Sequence, residues 1–392
     1  MDAPGLEQLK PIVDALPGPA YLVGGGVRDL LLYRPGFDVD LAVVGDAEAY
    51  AHALAERLGG RVVTHGRFGT AVVHYGDDRH LDVAMARTET YTAPGALPDV
   101  APAESIEEDL ARRDFTINAM AVALPNGDLI DPFAGRIHLA DRVVRVLHER
   151  SFVDDPTRIF RAAQYEGRLG FRMDPKTETL ALMAVPEVRR LSGARVREEL
   201  LAVLGEERAA AILARLRRLG VDDALWPGLR FPEDGRVLER LRALSAQYVP
   251  APQWELGLLA IGPPPGWLDE LKVPRWAVTR IEAAVREAPA LRERLRHAGL
   301  SPAEIVEAVE QTGPDTPLLA LAQEELPALH DYFRRLRDVR IELTGDDLAA
   351  LGLGESPRVG EVLAELRRRK LNGVLDSRAA EIAAARELIA EA

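Results

Sequence analysis

Asp38-Val39-Asp40 is the segment of this chain best suited to chemistry. In a β-strand, residues two apart share a face, so the two carboxylates would stand side by side with Val39 turned to the interior. Like charges on one face repel unless a cation lies between them. Magnesium takes hard oxygen ligands and often sits between carboxylates and substrate phosphates. Taken alone, an Asp-x-Asp is more often a solvated acidic strand end. The element before it shifts that balance. Gly24-Gly25-Gly26-Val27-Arg28-Asp29 combines glycines, which permit close backbone approach, with a helix start whose free N–H groups suit an anion. Asp82, in the strand-like stretch His80–Ala84, is a reasonable third carboxylate, or else an exposed hairpin charge.

Two further clusters carry charge at element boundaries. Arg112-Arg113-Asp114 precedes the apolar run from Phe115, where paired guanidinium forks suit triphosphate oxygens. By itself this is also an ordinary charged strand entry. Asp154-Asp155-Pro156-Thr157-Arg158 opens a helix that continues through Arg161. Acids and proline at a helix start serve capping and the dipole, yet Asp155 and Arg158 are three apart and share a face.

The elements that must position these groups read as mixed α/β over the first 140 residues. Helices are expected over Leu6–Leu16, with Pro11 a break point, from Val27 to Leu32, and over Ala47–Leu58. Strands are expected at Ala20–Val23, Phe37–Val44, Arg61–Thr64, Phe115–Leu124 and Leu129–Ile130, with a hairpin of Thr70–Tyr75 and His80–Ala84 across Gly76-Asp77-Asp78. Residues 89–105 are rich in Thr, Pro, Ala and Gly without periodicity and read as a long loop, uncommon inside a domain unless functional. Beyond residue 140, apolar spacings of three and four predict helices, as in Ile159, Ala162 and Ala163. Proline-rich joints at 250–252 and 263–265 suggest a boundary between helical units.

Length and composition bound the function. At 392 residues the chain exceeds one compact core. It has no cysteine, which excludes disulfides, thiolate metal sites and cysteine nucleophiles and fits the cytoplasm. No run has the roughly 20 apolar residues of a membrane span, and the first residues do not read as a secretory signal. The net charge of −13 argues against loose nucleic-acid binding. Residues 1–130 hold 10 basic and 20 acidic side chains, whereas 131–230 hold 18 and 15. The middle segment is therefore the surface expected to meet a polyanion.

In order along the chain, these motifs resemble those of the class II tRNA nucleotidyltransferases, the CCA-adding enzymes and their poly(A) polymerase relatives. Gly24–Asp29 with Asp38-Val39-Asp40 resembles the family's first motif, and Arg112-Arg113-Asp114-Phe115-Thr116-Ile117-Asn118-Ala119 its second. Asp131-Pro132-Phe133-Ala134-Gly135 with Asp141 resembles the third, Asp154–Arg158 the base-reading fourth, and Arg195-Val196-Arg197-Glu198-Glu199 the fifth. Leu343–Leu348 and Gly360–Leu363 are similar to the family's C-terminal region. The resemblance implies an α+β protein. A nucleotidyltransferase-fold palm, a mixed sheet with helices, would form the head over 1–140. An all-helical remainder would follow: a neck over 141–205 that recognises the base, a body over 206–300, and a tail over 301–392 that binds tRNA. It implies that Asp38 and Asp40 hold two Mg2+ ions; Asp82, from the strand reading, is the candidate further catalytic acid. Gly24, Gly25, Arg28, Arg113 and Arg161 would contact the nucleotide, while Asp155 and Arg158 read its base.

Donor–acceptor polarity supports that last role. A carboxylate only accepts hydrogen bonds and a guanidinium only donates. Cytosine and adenine each offer an amine beside a ring-nitrogen acceptor; uracil and guanine reverse both. Such a site can reject the mismatch by roughly 10⁴–10⁵. The implied activity is therefore template-independent addition of CCA, or its terminal part, to the tRNA 3′ end from CTP and ATP, with release of pyrophosphate. Gln164 stands where the family frequently has arginine, and Ala134 where it usually has glycine. Arg195 and Glu199 are spaced to pair along one helix. Within the family, the full-length stretch from Thr88 to Glu108 favours addition of CCA or of A alone over CC addition, and the acidic C-terminal part disfavours poly(A) synthesis. The dipeptide His330-Asp331 raises a phosphohydrolase alternative, but too few histidines accompany it for a metal site. A non-catalytic RNA-binding paralogue would be expected to lack Asp38 or Asp40.

Overall fold

The computed structural model describes residues 6–34, 38–65, 69–77, 79–297, 299–354 and 356–390. The chain divides into two compact units, Met1–Phe231 and Pro232–Ala392.

In the first unit, helix α1 (Leu6–Ala15) runs through Pro11 without a break. Strand β1 (Ala20–Val23) feeds the short helix α2 (Gly25–Leu31), then β2 (Asp40–Val43) and α3 (Ala47–Leu58). Strands β3 (Arg61–His65), β4 (Thr70–Tyr75) and β5 (Arg79–Met85) follow. With β8 (Ala121–Leu124) and β9 (Asp128–Ile130) they complete a seven-stranded mixed sheet of order β3-β4-β5-β2-β1-β8-β9. Only β2 and β5 are parallel neighbours within it.

Alternation along the strands decides what each face does. One face carries Leu22, Leu41, Val43, Ala71, Val73, Leu81, Val83 and Val122, all buried beneath a layer that includes α3 with its buried Ala51 and Leu54. The opposite face is split. Over β2, β1 and β8, Ala42, Val23 and Ala121 pack with Ile106 and Leu110 of helix α4 (Ile106–Ala111). Over β3, β4 and β5 that face is open, with Val63 37% exposed.

Three sequence expectations change. The strand expected over Phe37–Val44 is described only from Asp40 to Val43, and Phe37 and Asp78 lie outside the described residues. The loop expected over 89–105 contains an antiparallel pair, β6 (Arg87–Thr90) with β7 (Asp99–Pro102). Its charged and polar side chains bond to other protein groups, which hydropathy does not register. The expected strand from Phe115 instead begins with a single bridge to Val146 and a 3-10 turn over Thr116–Asn118. Buried Asp114 accepts hydrogen bonds from the Phe115 N–H at 2.7 Å and from the Asn118 amide at 3.0 Å, drawing the backbone into that turn.

After α5 (Gly135–Ala140) the first unit is helical apart from one two-residue parallel pair, β10 (Val143–Val144) with β11 (Arg172–Met173). The expected all-helical neck is corrected to that extent. Its helices are α6 (Ser151–Asp154), α7 (Thr157–Leu169), α8 (Pro175–Ala184), α9 (Gly193–Gly205), α10 (Ala209–Leu219) and α11 (Val221–Leu225). In α7, Ile159, Phe160, Ala162 and Ala163 are buried, and Arg158, Arg161 and Tyr165 recur at i, i+3 and i+7 on a second face.

The second unit is helical from Arg236–Gln247 to Arg378–Ala390, and both proline-rich joints lie inside it. Leu343, Leu348, Val362, Leu366 and Ala385 form one of its cores. His330 meets the Tyr248 hydroxyl at 2.7 Å and Glu325 at 2.5 Å, as a half-buried structural residue does. No described helix is long and apolar enough to cross a membrane.

Candidate nucleotidyl-transfer site

Beside the covered half of the sheet face lies a cavity of about 400 Å³. Its walls come from the α2 turn, β2, the β6–β7 hairpin, the segment after α4, and α7. Of the residues expected from sequence, Gly24, Gly25, Asp40, Arg113, Asp155, Arg158 and Arg161 line it.

Gly24 is required by its backbone conformation. Its φ of 65° lies in the left-handed region, and a Cβ there would stand 2.7 Å from the Arg113 guanidinium. The bare turn lets Arg113 lie against it. Gly26 meets a different neighbour, because its Cβ would fall 2.8 Å from the Asp38 carbonyl oxygen. The turn is thereby pressed against the segment that leads into β2.

Asp40 and Asp82 are register partners on β2 and β5, and pairing extends one residue further where the Asp82 N–H donates to the Val39 carbonyl at 3.0 Å. Asp38 precedes the strand and is exposed. Burial raises the Asp40 carboxyl above its ordinary range, the charges of Asp82 and Asp38 push it further, and Arg113 opposes them. Asp38 and Asp82 flank the cavity rather than line it.

Arg28 stands behind the turn. Its guanidinium donates to Asp29 at 2.9 and 2.8 Å and to the Asn118 carbonyl oxygen at 2.8 Å, and lies over the Tyr165 ring. Burial works against its charge; the Asp29 bonds override this and raise its pKa. Through these bonds Arg28 supports the cavity wall.

The most connected group was not among the expected site residues. Asp109 is 1% exposed and accepts from Arg112 at 2.9 and 2.8 Å, from Arg113 at 3.2 and 2.8 Å, and from the Arg87 N–H at 3.2 Å. Burial opposes its charge, but Arg113 and Arg112 hold its pKa below the ordinary value. Glu89 takes the remaining Arg112 nitrogen at 3.0 Å, both Arg87 bonds, and the Tyr91 hydroxyl at 3.0 Å. Alternation of Arg87, Glu89 and Tyr91 along one strand face was the signal that would have found them.

The base-reading pair is held from the side. Asp155 accepts from the Thr157 N–H at 3.1 Å, the Thr157 hydroxyl at 2.7 Å and Arg195 at 2.7 Å. The second Arg195 nitrogen donates to the Gly95 carbonyl at 2.8 Å, tying Asp155 to the hairpin tip. The expected Arg195–Glu199 pair is corrected accordingly, since both terminal Arg195 nitrogens are spent elsewhere. Arg158 is 4% exposed and donates to the Ser151 hydroxyl at 2.6 Å and the Arg112 carbonyl at 2.8 Å. Arg161 pairs with Asp114 at 2.8 Å. Five arginines (Arg87, Arg112, Arg113, Arg158 and Arg161) line the cavity together with Asp40, Glu89, Asp114 and Asp155, and the guanidinium forks are of the kind that suits a polyphosphate.

In the third motif, Asp131 caps a turn, accepting from the Gly135 and Arg136 N–H groups at 2.6 and 3.0 Å. A Cβ on Gly135 would fall 2.2 Å from the Thr116 carbonyl oxygen, so this turn packs directly under the second motif.

Comparison with known proteins agrees with this geometry. Residues 20–145 match the family described as "Poly A polymerase head domain", and 170–231 match "Probable RNA and SrmB- binding site of polymerase A". An A-adding tRNA nucleotidyltransferase of Halalkalibacterium halodurans is 34% identical over 94% of this chain and 88% of its own length. Another, of Geobacter sulfurreducens, is 35% identical over 94% of this chain, which spans 45% of that protein. A solved CCA-adding enzyme in an apo form superposes with a TM-score of 0.86 at 29% identity, covering 100% of this chain and 97% of the other. On its sequence, its fold and the order of its motifs, the chain belongs to the class II tRNA nucleotidyltransferase family.

Proposed function

We propose that this protein adds nucleotides to the 3′ end of tRNA, taking CTP and ATP and releasing pyrophosphate, and that it completes CCA or supplies the terminal adenosine. The observation that carries this reading is the juxtaposition of Asp155 and Arg158 with Asp40 and Arg113 around one cavity.

The acidic side chains fit a divalent cation. Burial raises the Asp40 carboxyl most, and the repulsion from Asp82 and Asp38 that adds to it is what such an ion relieves. Among the described residues no three or more His, Asp or Glu side chains form a cluster suited to hold a metal. Asp38 and Asp40 would therefore supply the protein oxygens, and triphosphate and water the remainder. When bound, two magnesium ions would ease deprotonation of the 3′-hydroxyl and neutralise the departing pyrophosphate.

The chain's own residues do the rest. Arg113, anchored through Asp109 and lying against Gly24, presents its free nitrogen to phosphate oxygens. Asp155 accepts the exocyclic amine of cytosine or adenine while Arg158 donates to the ring nitrogen. The hydroxyl oxygen then attacks the α-phosphorus in line, the bond to pyrophosphate breaks, and the hydroxyl proton leaves toward the carboxylates. Positioning and charge neutralisation supply most of the acceleration, as in phosphoryl transfer generally.

Addition of A alone is favoured by the names of the Geobacter and Halalkalibacterium relatives. The test offers tRNAs ending before CCA, after C and after CC, each with labelled CTP and ATP. Extension of all three supports full CCA addition, and extension of the last alone supports A addition. Failure with all three removes the proposal.

A further inference from the structure

The open half of the sheet face has a composition unlike the rest of the head. Register fixes which residues share it. Asp82 pairs with Val72 and Val72 with Val63, while His80 pairs with His74 and His74 with Arg61. Direct antiparallel partners lie on the same face, so Asp40, Asp82, His80, His74 and Arg61 form a continuous tract from the carboxylates to the sheet edge. The His74 and His80 rings lie 6.2 Å apart. At the end of this tract, Arg61, His74 and Arg79 line a hollow of about 370 Å³ with Gly59, Gly60 and Gly76, and among the described residues no carboxylate lines it. Among the described residues, neither Arg61 nor Arg79 has an ion pair or side-chain hydrogen bond with another residue. That is unusual in a segment where acids outnumber bases two to one.

We propose that Arg61, Arg79 and the His74–His80 pair form an RNA-backbone site that holds phosphates of the substrate strand upstream of its reacting 3′-hydroxyl. This rests on the function proposed above. Both arginines are exposed and available to phosphate oxygens. Each imidazole supplies an N–H donor to the same oxygens. Three strand spacings of about 4.8 Å separate β2 from β3, and Arg61 lies two residues along from Val63, the position in register with Asp40, so the basic end lies roughly 16 Å from Asp40. At about 3.4 Å per stacked nucleotide, that distance spans about five nucleotides of a single strand. A strand whose end reaches the carboxylates would cross the open face past His80 and His74 to Arg61, and would meet Arg79, which pairs with Tyr75 and starts from the other face, across the hollow that both arginines line. The nucleotide triphosphate already has its own arginine-lined cavity, so a second phosphate site at the hollow where this face ends suits the RNA.

The test uses the full chain carrying Arg61→Ser and Arg79→Ser, with Arg61→Lys and Arg79→Lys as the charge-conserving control. Binding of tRNA lacking CCA is measured at 50 and 200 mM salt, together with the KM for ATP at saturating tRNA. The serine variant is expected to bind tRNA more weakly. Loss of two phosphate contacts lowers the salt slope by about 1.4–1.8, so its defect relative to wild type shrinks roughly tenfold between the two salts. The lysine variant should recover the slope, because counterion release depends on charge. Unchanged tRNA affinity and slope would overturn the proposal. So would a raised ATP KM with normal tRNA binding, which would mark a site for free nucleotide phosphates. If wild type extends no tRNA, the proposed function fails; if it extends tRNA and the variants bind alike, this inference alone fails.

Discussion

Replacing Asp109 by asparagine should damage both the stability of the first unit and its hold on nucleotide. The carboxylate is 1% exposed and accepts four side-chain bonds from two arginines. Asparagine removes the charge and turns an N–H₂ group toward a guanidinium. Breaking a buried pair costs about 3–5 kcal/mol. Glu89 still neutralises Arg112, which places the loss at the lower end, about 3 kcal/mol. For a unit of this size each kcal/mol moves the melting temperature by about 2–4 °C, so a fall of roughly 6–12 °C is expected. Arg113 also loses both anchored nitrogens. A charge-assisted contact worth about 1.5–3 kcal/mol then translates into roughly a 10- to 100-fold rise in the KM for ATP. The pH dependence has a definite sign. The Asp109 pKa is lowered from 3.8 by folding, so its contribution is complete above that value and is lost as the pH falls through the lowered one. The gap between wild type and variant should therefore narrow in acid. Thermal unfolding by circular dichroism and steady-state kinetics measure both effects. A melting temperature within about 2 °C of wild type, with an unchanged KM, would refute the reasoning.

Asp38→Ala or Asp40→Ala should abolish nucleotide incorporation while tRNA binding, read by filter retention, survives; unchanged activity would refute the metal assignment. Arg195→Ala removes the bond between Asp155 and the hairpin tip, and should cost roughly tenfold in selection of ATP over UTP, measured as a ratio of kcat/KM. Unaltered selection would show that Thr157 alone orients Asp155. Glu199 sits beside Arg161, and burial pushes its carboxyl up to about 7. A raised carboxyl favours the fold fully below its ordinary value of 4.5 and loses that contribution as the pH rises through about 7. Glu199→Gln should therefore gain roughly 1–3 kcal/mol on wild type between pH 5 and pH 8, read from denaturant unfolding at each pH. A difference that does not change with pH would contradict that environment.

Much of the palm was legible because its strands alternate and its core is apolar. Ala20–Val23, Ala47–Leu58 and Thr70–Tyr75 have the expected type and bounds. Legibility failed where polar contacts rather than apolar burial set the backbone. The β6–β7 hairpin is tied down through Glu89, and the 3-10 turn at Thr116–Asn118 is shaped by Asp114, neither of which periodicity detects. The same blindness affected the site. Short-range pairs such as Asp155 with Arg158 were visible from spacing, whereas the bond of Arg195 to Asp155 joins residues 40 positions apart. The bond of Arg28 to Asn118, 90 positions away, was likewise beyond what spacing shows.

Base selection by a protein surface is the central claim, and the most direct measurement is kcat/KM for CTP, ATP, UTP and GTP with wild type, Asp155→Ala and Arg158→Ala on tRNA lacking its 3′ end. The account predicts that wild type accepts CTP or ATP and excludes UTP and GTP, and that each variant loses this discrimination by more than it loses triphosphate affinity. Variants that still exclude UTP and GTP as strongly as wild type would contradict it.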